Sequence, residues 1–528
     1  MGFVTKNREQ MSLIGYSLDD FVEPTAKCRF VAQLVSELDL DALYSDYSEQ
    51  GNDAFDPEIM LATWFYGYSE GETSTRKLER RCQRDLHFIY VSADLRPDHS
   101  SLSRFRKRHL ELLPDYFVQM VRLAKEKEMA EFKSIAMDGT KIQASASGKK
   151  SKDTDTLSRY LKAVRKDIAE YMEKCELAES EGGDDLEEIR EKIGQLQKQE
   201  KTLLERKGQL AKRREGIKPE YREKHKINIV EPDAMMMDKV NGRKKAPAYN
   251  AQISVDTESQ LICSNDVVQD RNDQNQFSAQ YENVENNLGA EAEREYTTDA
   301  GYHSLEQLEY IEENQIKATV ADPQPGNRSN SNKSNTVKKP EELLKEKKKF
   351  KRSDFVFNRE GDYYECPAGK KLDFERRYSR SGWRGRTYKA AGCSGCSYRE
   401  NCLPSGNKSG VRRIHRDNRE IYAEKMMEKL QSEQSKEKLK IRMTTVEPAF
   451  GNIKENLGFR RFRLSSLSQV QGEFNLMCIA HNINKMFILL TANLPLLAAH
   501  IYFKKQLMIR FKDLLVNIHK INQMPIRR

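Results

Sequence analysis

The chain has 528 residues, 38% of them hydrophobic, enough for several packed cores. Its 32% charged share exceeds the ~25% of ordinary soluble domains and points to long solvated helices or faces that meet a polyanion. The net charge of +9 comes from 90 basic and 81 acidic residues, so the placement of charge says more than its sum. Met1–Asp20 shows no basic start followed by an apolar run, which argues against a secretory signal. The greasiest stretch, 486–503, is broken by Asn493, Pro495 and His500, whereas a membrane span needs about 20 predominantly apolar residues. A soluble, cytoplasmic protein without a membrane partner is expected.

Residues 1–130 read as a helical N-terminal domain. Asp56-Pro57-Glu58 suits a helix start, because Pro is tolerated in the first turn and acids favour the positive helix end. Between Arg76 and His109 there are ten Lys/Arg against four Asp/Glu. This excess marks either solvated helix faces or a DNA-contacting module, with Arg76, Arg80, Arg104, Arg106, Lys107 and Arg108 as phosphate-binding candidates.

The pattern then changes to α/β across residues 131–320. Ser134–Asp138 is a strand-like run ending on a carboxylate, with Gly139-Thr140 as a turn. Residues 149–226 are charge-dense, with leucines and isoleucines at helical intervals, and suit a helical hairpin turning at Gly182-Gly183. Tyr249–Asp256 alternates apolar and polar residues, and after a polar turn at 257–260 the run Leu261–Val268 returns as its antiparallel partner. A helix is expected over Asn275–Leu288. A short strand, Arg294–Thr298, delivers Asp299, and Ser304 with Gln307 forms a capping box for the next helix. Ile316–Val320 reads as one more strand.

Residues 321–415 divide into a Pro/Asn/Ser/Lys-rich linker (322–350) and a cysteine-rich insertion. Cys366, Cys393, Cys396 and Cys402 supply four of nine cysteines, and the Cys393-Ser-Gly-Cys396 spacing lets two thiolates reach one tetrahedral zinc. Structural Zn is set against reduced, unliganded thiols, an iron–sulfur cluster and a redox pair. Basic and aromatic residues alternate around the cluster, with Trp383 able to stack on a base or to pack inside the protein. Residues 416–528 carry a long helix passing through or restarting near Glu447, followed by an amphipathic stretch, Leu467–Leu490. Pro448 requires a restart at 445–446 or a kink. Arg460 and Arg461, in Gly458-Phe-Arg-Arg-Phe-Arg463, are further DNA-contact candidates.

Three acids have settings that set them apart from the remaining Asp and Glu. Asp138 and Asp299 each follow a short strand and precede a Gly-containing turn, whereas Glu447 is helical. Such carboxylates can converge at the edge of a mixed sheet and bind Mg²⁺, or Mn²⁺, as a two-ion site for in-line phosphodiester chemistry.

Met137-Asp-Gly-Thr-Lys141, Thr297-Thr-Asp-Ala-Gly-Tyr302 and Val446-Glu-Pro-Ala-Phe-Gly-Asn-Ile-Lys454 resemble the three catalytic blocks of bacterial insertion-sequence transposases of the DDE class. Tyr249–Asp256 is similar to that family's central hairpin, and Phe55-Asp-Pro-Glu58 to the opening of its N-terminal domain, so the resemblance covers about residues 20–490. It implies an RNase H-like mixed sheet flanked by helices, with Asp138, Asp299 and Glu447 as metal ligands and Lys454 on DNA. Arg442 suits the family's auxiliary Arg and is a further DNA-contact candidate, while Lys440 stands where the family often has a Tyr. The implied activity is metal-dependent cleavage and strand transfer at double-stranded element ends, with a homodimer suggested by the two ends. A nuclease without joining activity and a non-catalytic zinc-containing DNA-binding protein are the alternatives.

Overall fold

The computed structural model describes residues 3–4, 17–47, 54–181, 185–217, 222, 225–323, 340–341, 344, 349–380, 383–403, 407 and 409–493. The expected Gly182-Gly183 turn and most of the 322–350 linker lie outside them. The chain forms two compact units, each assembled from separated segments. The first takes residues 1–271, 282–291 and 444–528, the second residues 272–281 and 292–443.

The first unit opens with a run of helices that includes α1 (Lys27–Ser36), α2 (Pro57–Ser69), α3 (Thr75–Arg84), α4 (Leu86–Val91), α5 (His99–Arg108) and α6 (Leu113–Glu126). Pro57 occupies the first turn of α2, and the Asp56 carboxylate accepts the Glu58 amide at 3.0 Å. Every α2 residue except Glu58 is buried. A helix apolar on all sides belongs inside a bundle, and α2 packs against α1, α4 and the late helix α13 (Leu467–Asn493).

The first-unit sheet is built on β1 (Ser134–Gln143), β2 (Met235–Val240), β3 (Arg243–Asp256) and β4 (Ile262–Val268). β3 is antiparallel to the other three. β1 does not end at Asp138: it pairs with β3 from Ile135 through Gln143, so Asp138 stands mid-strand opposite Ile253 and Gly139-Thr140 is not a turn. Continuous pairing to β3 overrides the local turn signal of Gly139. The β2–β3 hairpin, absent from the expectations above, turns at Asn241-Gly242, both at positive φ, the geometry that a two-residue hairpin loop demands.

Between β1 and β2 rise the hairpin helices α7 (Thr154–Glu181) and α8 (Leu186–Arg213), joined along Leu157, Leu161, Val164, Leu196, Leu203 and Leu210. The start of α13 is fixed by two acids: buried Glu231 accepts the Ser466 amide at 2.8 Å and the Tyr249 hydroxyl at 2.5 Å, and half-buried Asp233 accepts the Leu467 amide at 3.2 Å.

In the second unit, β5 (Glu295–Thr298) and β6 (Ala318–Val320) pair in parallel across helix α10 (Leu305–Glu313). The helix α9 (Phe277–Leu288) passes from the second unit into the first at 282. Ser304 caps α10 by accepting the Gln307 amide at 3.2 Å, but the Gln307 side chain serves Ser278 at 2.8 Å, so half of the expected capping box forms.

The cysteine-rich segment is an antiparallel sheet of β7 (Val356–Asn358), β8 (Tyr363–Glu365), β9 (Lys371–Arg380), β10 (Trp383–Ala390) and β11 (Arg413–Asp417), ordered as in the chain. It closes on Phe350, Phe355, Tyr364, Leu372, Tyr388, Ala390 and Ile414.

Helix α11 (Glu420–Lys429) leads to α12 (Glu433–Gly451), which belongs to the first unit from Thr444 onward. α12 runs through Glu447 and Pro448 without restarting, then widens into a π turn over Asn452–Asn456. No helix among the described residues is long and apolar enough to cross a membrane.

Candidate active site

The first unit places Asp138, Thr140 and Lys454 together. β1 holds Asp138 half-buried, its Oδ1 accepting the Gly139 amide at 2.8 Å. Residues two apart on a strand share a face, so Thr140 lies on the side of β1 that carries Asp138. The Lys454 ammonium donates to Thr140 Oγ1 at 2.5 Å and to the Lys141 carbonyl at 3.3 Å. Burial holds that ammonium below the usual lysine range, while the negative charge of Asp138 opposes the shift.

Lys454 sits in the π turn, closed by the Leu457 amide on the Asn452 carbonyl at 2.9 Å. The chain beyond is stitched to the end of β1: the Phe462 amide reaches the Gln143 carbonyl at 2.9 Å and Arg461 Nε the Ala144 carbonyl at 3.2 Å. Glu447, two turns earlier on α12, is exposed.

In the second unit Asp299 follows β5 directly and caps the turn Ala300–Tyr302, its Oδ1 accepting the Gly301 amide at 2.8 Å. Arg442, buried at 6% exposure, brings a guanidinium nitrogen to 3.5 Å from Asp299 Oδ2. Arg442, a DNA-contact candidate from the sequence, is thus ion-paired with Asp299 in the fold.

A side chain at Gly301 would meet Asp299 Oδ1 at 2.9 Å and Asp273 Oδ2 at 3.3 Å, so the Asp273 carboxylate stands beside Asp299. Asp273 lies in a polar loop with no strand, turn or spacing signal, and the sequence reading passed over it. Among the described residues no three His, Cys, Asp or Glu side chains are arranged to hold one metal ion.

The four predicted cysteines line one small cavity of about 30 Å³, with Lys370 and Arg412 at its wall. Cys366 sits in a tight turn: its carbonyl accepts the Gly369 amide at 2.8 Å and its sulfur the Lys370 amide at 3.3 Å, with Gly369 at φ +70°. Gly392, also at φ +70°, introduces the Cys393–Cys396 turn. None of the four cysteines is in a disulfide, and burial pushes the Cys402 thiol up to about 11.

The predicted basic contacts divide by environment. Arg76, Arg80, Arg104, Lys107, Arg460 and Arg461 are exposed, with Arg460 ion-paired to Glu455. Arg106 turns inward, its guanidinium 4.6 Å from the Trp64 ring centre and donating to the Tyr68 hydroxyl at 3.2 Å. Arg108 is exposed, but its guanidinium is held by the Asp46 carbonyl and lies 4.9 Å from the Tyr47 ring centre. The Trp383 side chain lies outside the described residues.

Two family models match the chain. A transposase DDE domain covers residues 365–487, which include Glu447, Lys454 and the four cysteines, and a transposase domain (DUF772) covers residues 16–108, which include α1 to α5. No curated protein and no solved structure matches.

Proposed function

We propose, from the premise that the chain belongs to the insertion-sequence transposases of the DDE class, as its two transposase-domain matches support, that Asp138, Asp299 and Glu447 are its catalytic carboxylates on an RNase H-like fold. One observation carries the assignment. Each aspartate is fixed at a sheet strand and has a cationic side chain beside it, Lys454 for Asp138 and Arg442 for Asp299. Those cations offset carboxylate charge that a divalent ion would otherwise neutralise.

Carboxylates are hard oxygen donors suited to Mg²⁺ or Mn²⁺, and a pair of such ions would supply an activated water or DNA 3′-OH and stabilise the leaving oxygen. The protein's own part is positional. Asp138, Asp299 and Glu447 present ligand oxygens, Arg442 keeps Asp299 oriented, and Lys454 takes a phosphate oxygen of the DNA. The exposed Arg76, Arg80, Arg104 and Lys107, with Arg460 and Arg461, neutralise further phosphates of double-stranded DNA. Binding two element ends calls for a homodimer. In the cysteine module, the four cysteines lining one cavity would be the ligands of a structural zinc once drawn together, since their described positions form no metal-holding group.

The test incubates the purified chain with DNA carrying its element's ends and Mg²⁺, and scores nicking and strand joining. Asp138→Asn, Asp299→Asn and Glu447→Gln are each expected to lower cleavage by about a thousandfold or more, ~4 kcal/mol of lost transition-state stabilisation, with DNA affinity retained. Wild-type cleavage in any one of the three removes that residue from the site. Nicking without joining favours a nuclease, and binding without either reaction a non-catalytic DNA-binding protein.

A further inference from the structure

We propose that Thr140 is a positioning residue of the active site: its hydroxyl, with the Lys141 carbonyl, latches the Lys454 ammonium onto the strand that carries Asp138. The role in catalysis rests on the function proposed above. The latch itself rests on geometry within the first unit.

Three observations converge on it. Thr140 is two residues from Asp138 on β1, hence on the same strand face, and its Oγ1 lies 2.5 Å from Lys454 Nζ. The Lys141 carbonyl takes a second ammonium proton at 3.3 Å. An ammonium has three protons, so one N–H is left to meet a phosphate oxygen.

Lys454 also sits on a widened π turn, a helix irregularity that recurs at functional sites, followed directly by the segment hydrogen-bonded to Gln143 and Ala144. The turn brings the lysine to β1, and Thr140 sets where on β1 the ammonium stops. A lysine stem has four rotatable bonds; without an acceptor at that point, its charge would sample positions away from the phosphate next to Asp138.

The experiment compares wild type, Thr140→Val and Thr140→Ser, with Thr140→Ala as a second way of deleting the hydroxyl should valine not be accommodated. On end DNA with Mg²⁺, Thr140→Val is expected to cut the cleavage rate at saturating DNA by about 10- to 100-fold, the scale of a small misplacement of a reacting group. KM and DNA affinity should stay within about twofold, and Thr140→Ser should return most of the rate. A Thr140→Val enzyme as fast as wild type overturns the proposal.

A readout independent of turnover accompanies it: acetylation of Lys454 by an N-hydroxysuccinimide ester, followed by peptide mass spectrometry. The valine variant should react several-fold faster at Lys454 and unchanged at an exposed control such as Lys107; equal reactivity at Lys454 overturns the latch. Wild-type protein that fails to cleave defeats the proposed function instead, and the acetylation comparison then still decides whether Thr140 holds the lysine.

Discussion

At Gly385 the absence of a side chain is a packing requirement. The residue lies in β10 opposite Asp417 of β11, and a Cβ there would stand 2.1 Å from the Arg416 carbonyl oxygen. The clash is with backbone, so rotamer changes cannot relieve it. Gly385→Ala should therefore part β10 from β11 and destabilise the cysteine module by about 1–3 kcal/mol or more, the range for overpacking. Limited proteolysis of the full chain reads this out: faster cutting within 350–417 is expected, and a wild-type cleavage pattern counts against it. The nearby thiols make a second prediction at the same scale. A zinc shared by Cys366, Cys393, Cys396 and Cys402 implies about one equivalent in elemental analysis of purified protein, as for a single Cys₄ site, and its loss in Cys393→Ser. Protein purified without chelators and containing neither zinc nor iron would exclude the site.

Elements show which signals were local enough to read. The α7–α8 hairpin was legible because its leucines recur at helical intervals through a charged sequence, and β4 because it returns across a polar turn onto an alternating strand. The extent of β1 was not legible: pairing with β3, more than a hundred residues away, decides it, and Gly139 alone argues the other way. For α12 the sequence alone allows either a restart or a kink. Pro448 removes one backbone donor, yet α12 continues through it and the irregularity falls afterwards, in the π turn.

That turn is tied to α13 by a buried histidine. The Asn452 amide and His481 Nδ1 are 3.1 Å apart, and His481 Nε2 lies 2.9 Å from the Gln260 carbonyl. A neutral imidazole protonated on Nε2 satisfies both, accepting from Asn452 and donating to Gln260. Burial lowers the His481 pKa from 6.5 to about 4, with Lys485 adding to the shift. A base with a depressed folded pKa binds fewer protons folded than unfolded, so its contribution is whole above about pH 6.5 and declines as the pH falls toward 4. The full decline amounts to about 3 kcal/mol. Urea midpoints from pH 7 to 4 should fall more steeply for wild type than for His481→Gln, and parallel curves would show that His481 does not titrate in this window.

Over the whole molecule, a net charge of +9 on 528 residues is too small to hold DNA as a diffuse field, so the proposed DNA binding has to come from local groups. The exposed Arg76 and Arg80 on α3 and Arg104 and Lys107 on α5 lie within the segment matched by the DUF772 transposase domain, whereas the inward-turned Arg106 is engaged by Trp64 and Tyr68. Each phosphate neutralised on duplex DNA releases condensed counterion and adds about 0.9 to the slope of log affinity against log salt. Arg104→Ala should then lower that slope by about 0.9 in a titration of end DNA against KCl followed by fluorescence anisotropy. Arg106→Ala should leave the slope nearly unchanged and lower the melting temperature through the lost stacking on Trp64. Asp299→Asn removes a negative charge from the proposed metal site, and measured without divalent ions it should bind DNA at least as tightly as wild type. If Arg104→Ala binds with the wild-type slope while Arg106→Ala does not, the face of α5 that meets DNA is the opposite one, and the exposed cations of this helix are only its solvated side.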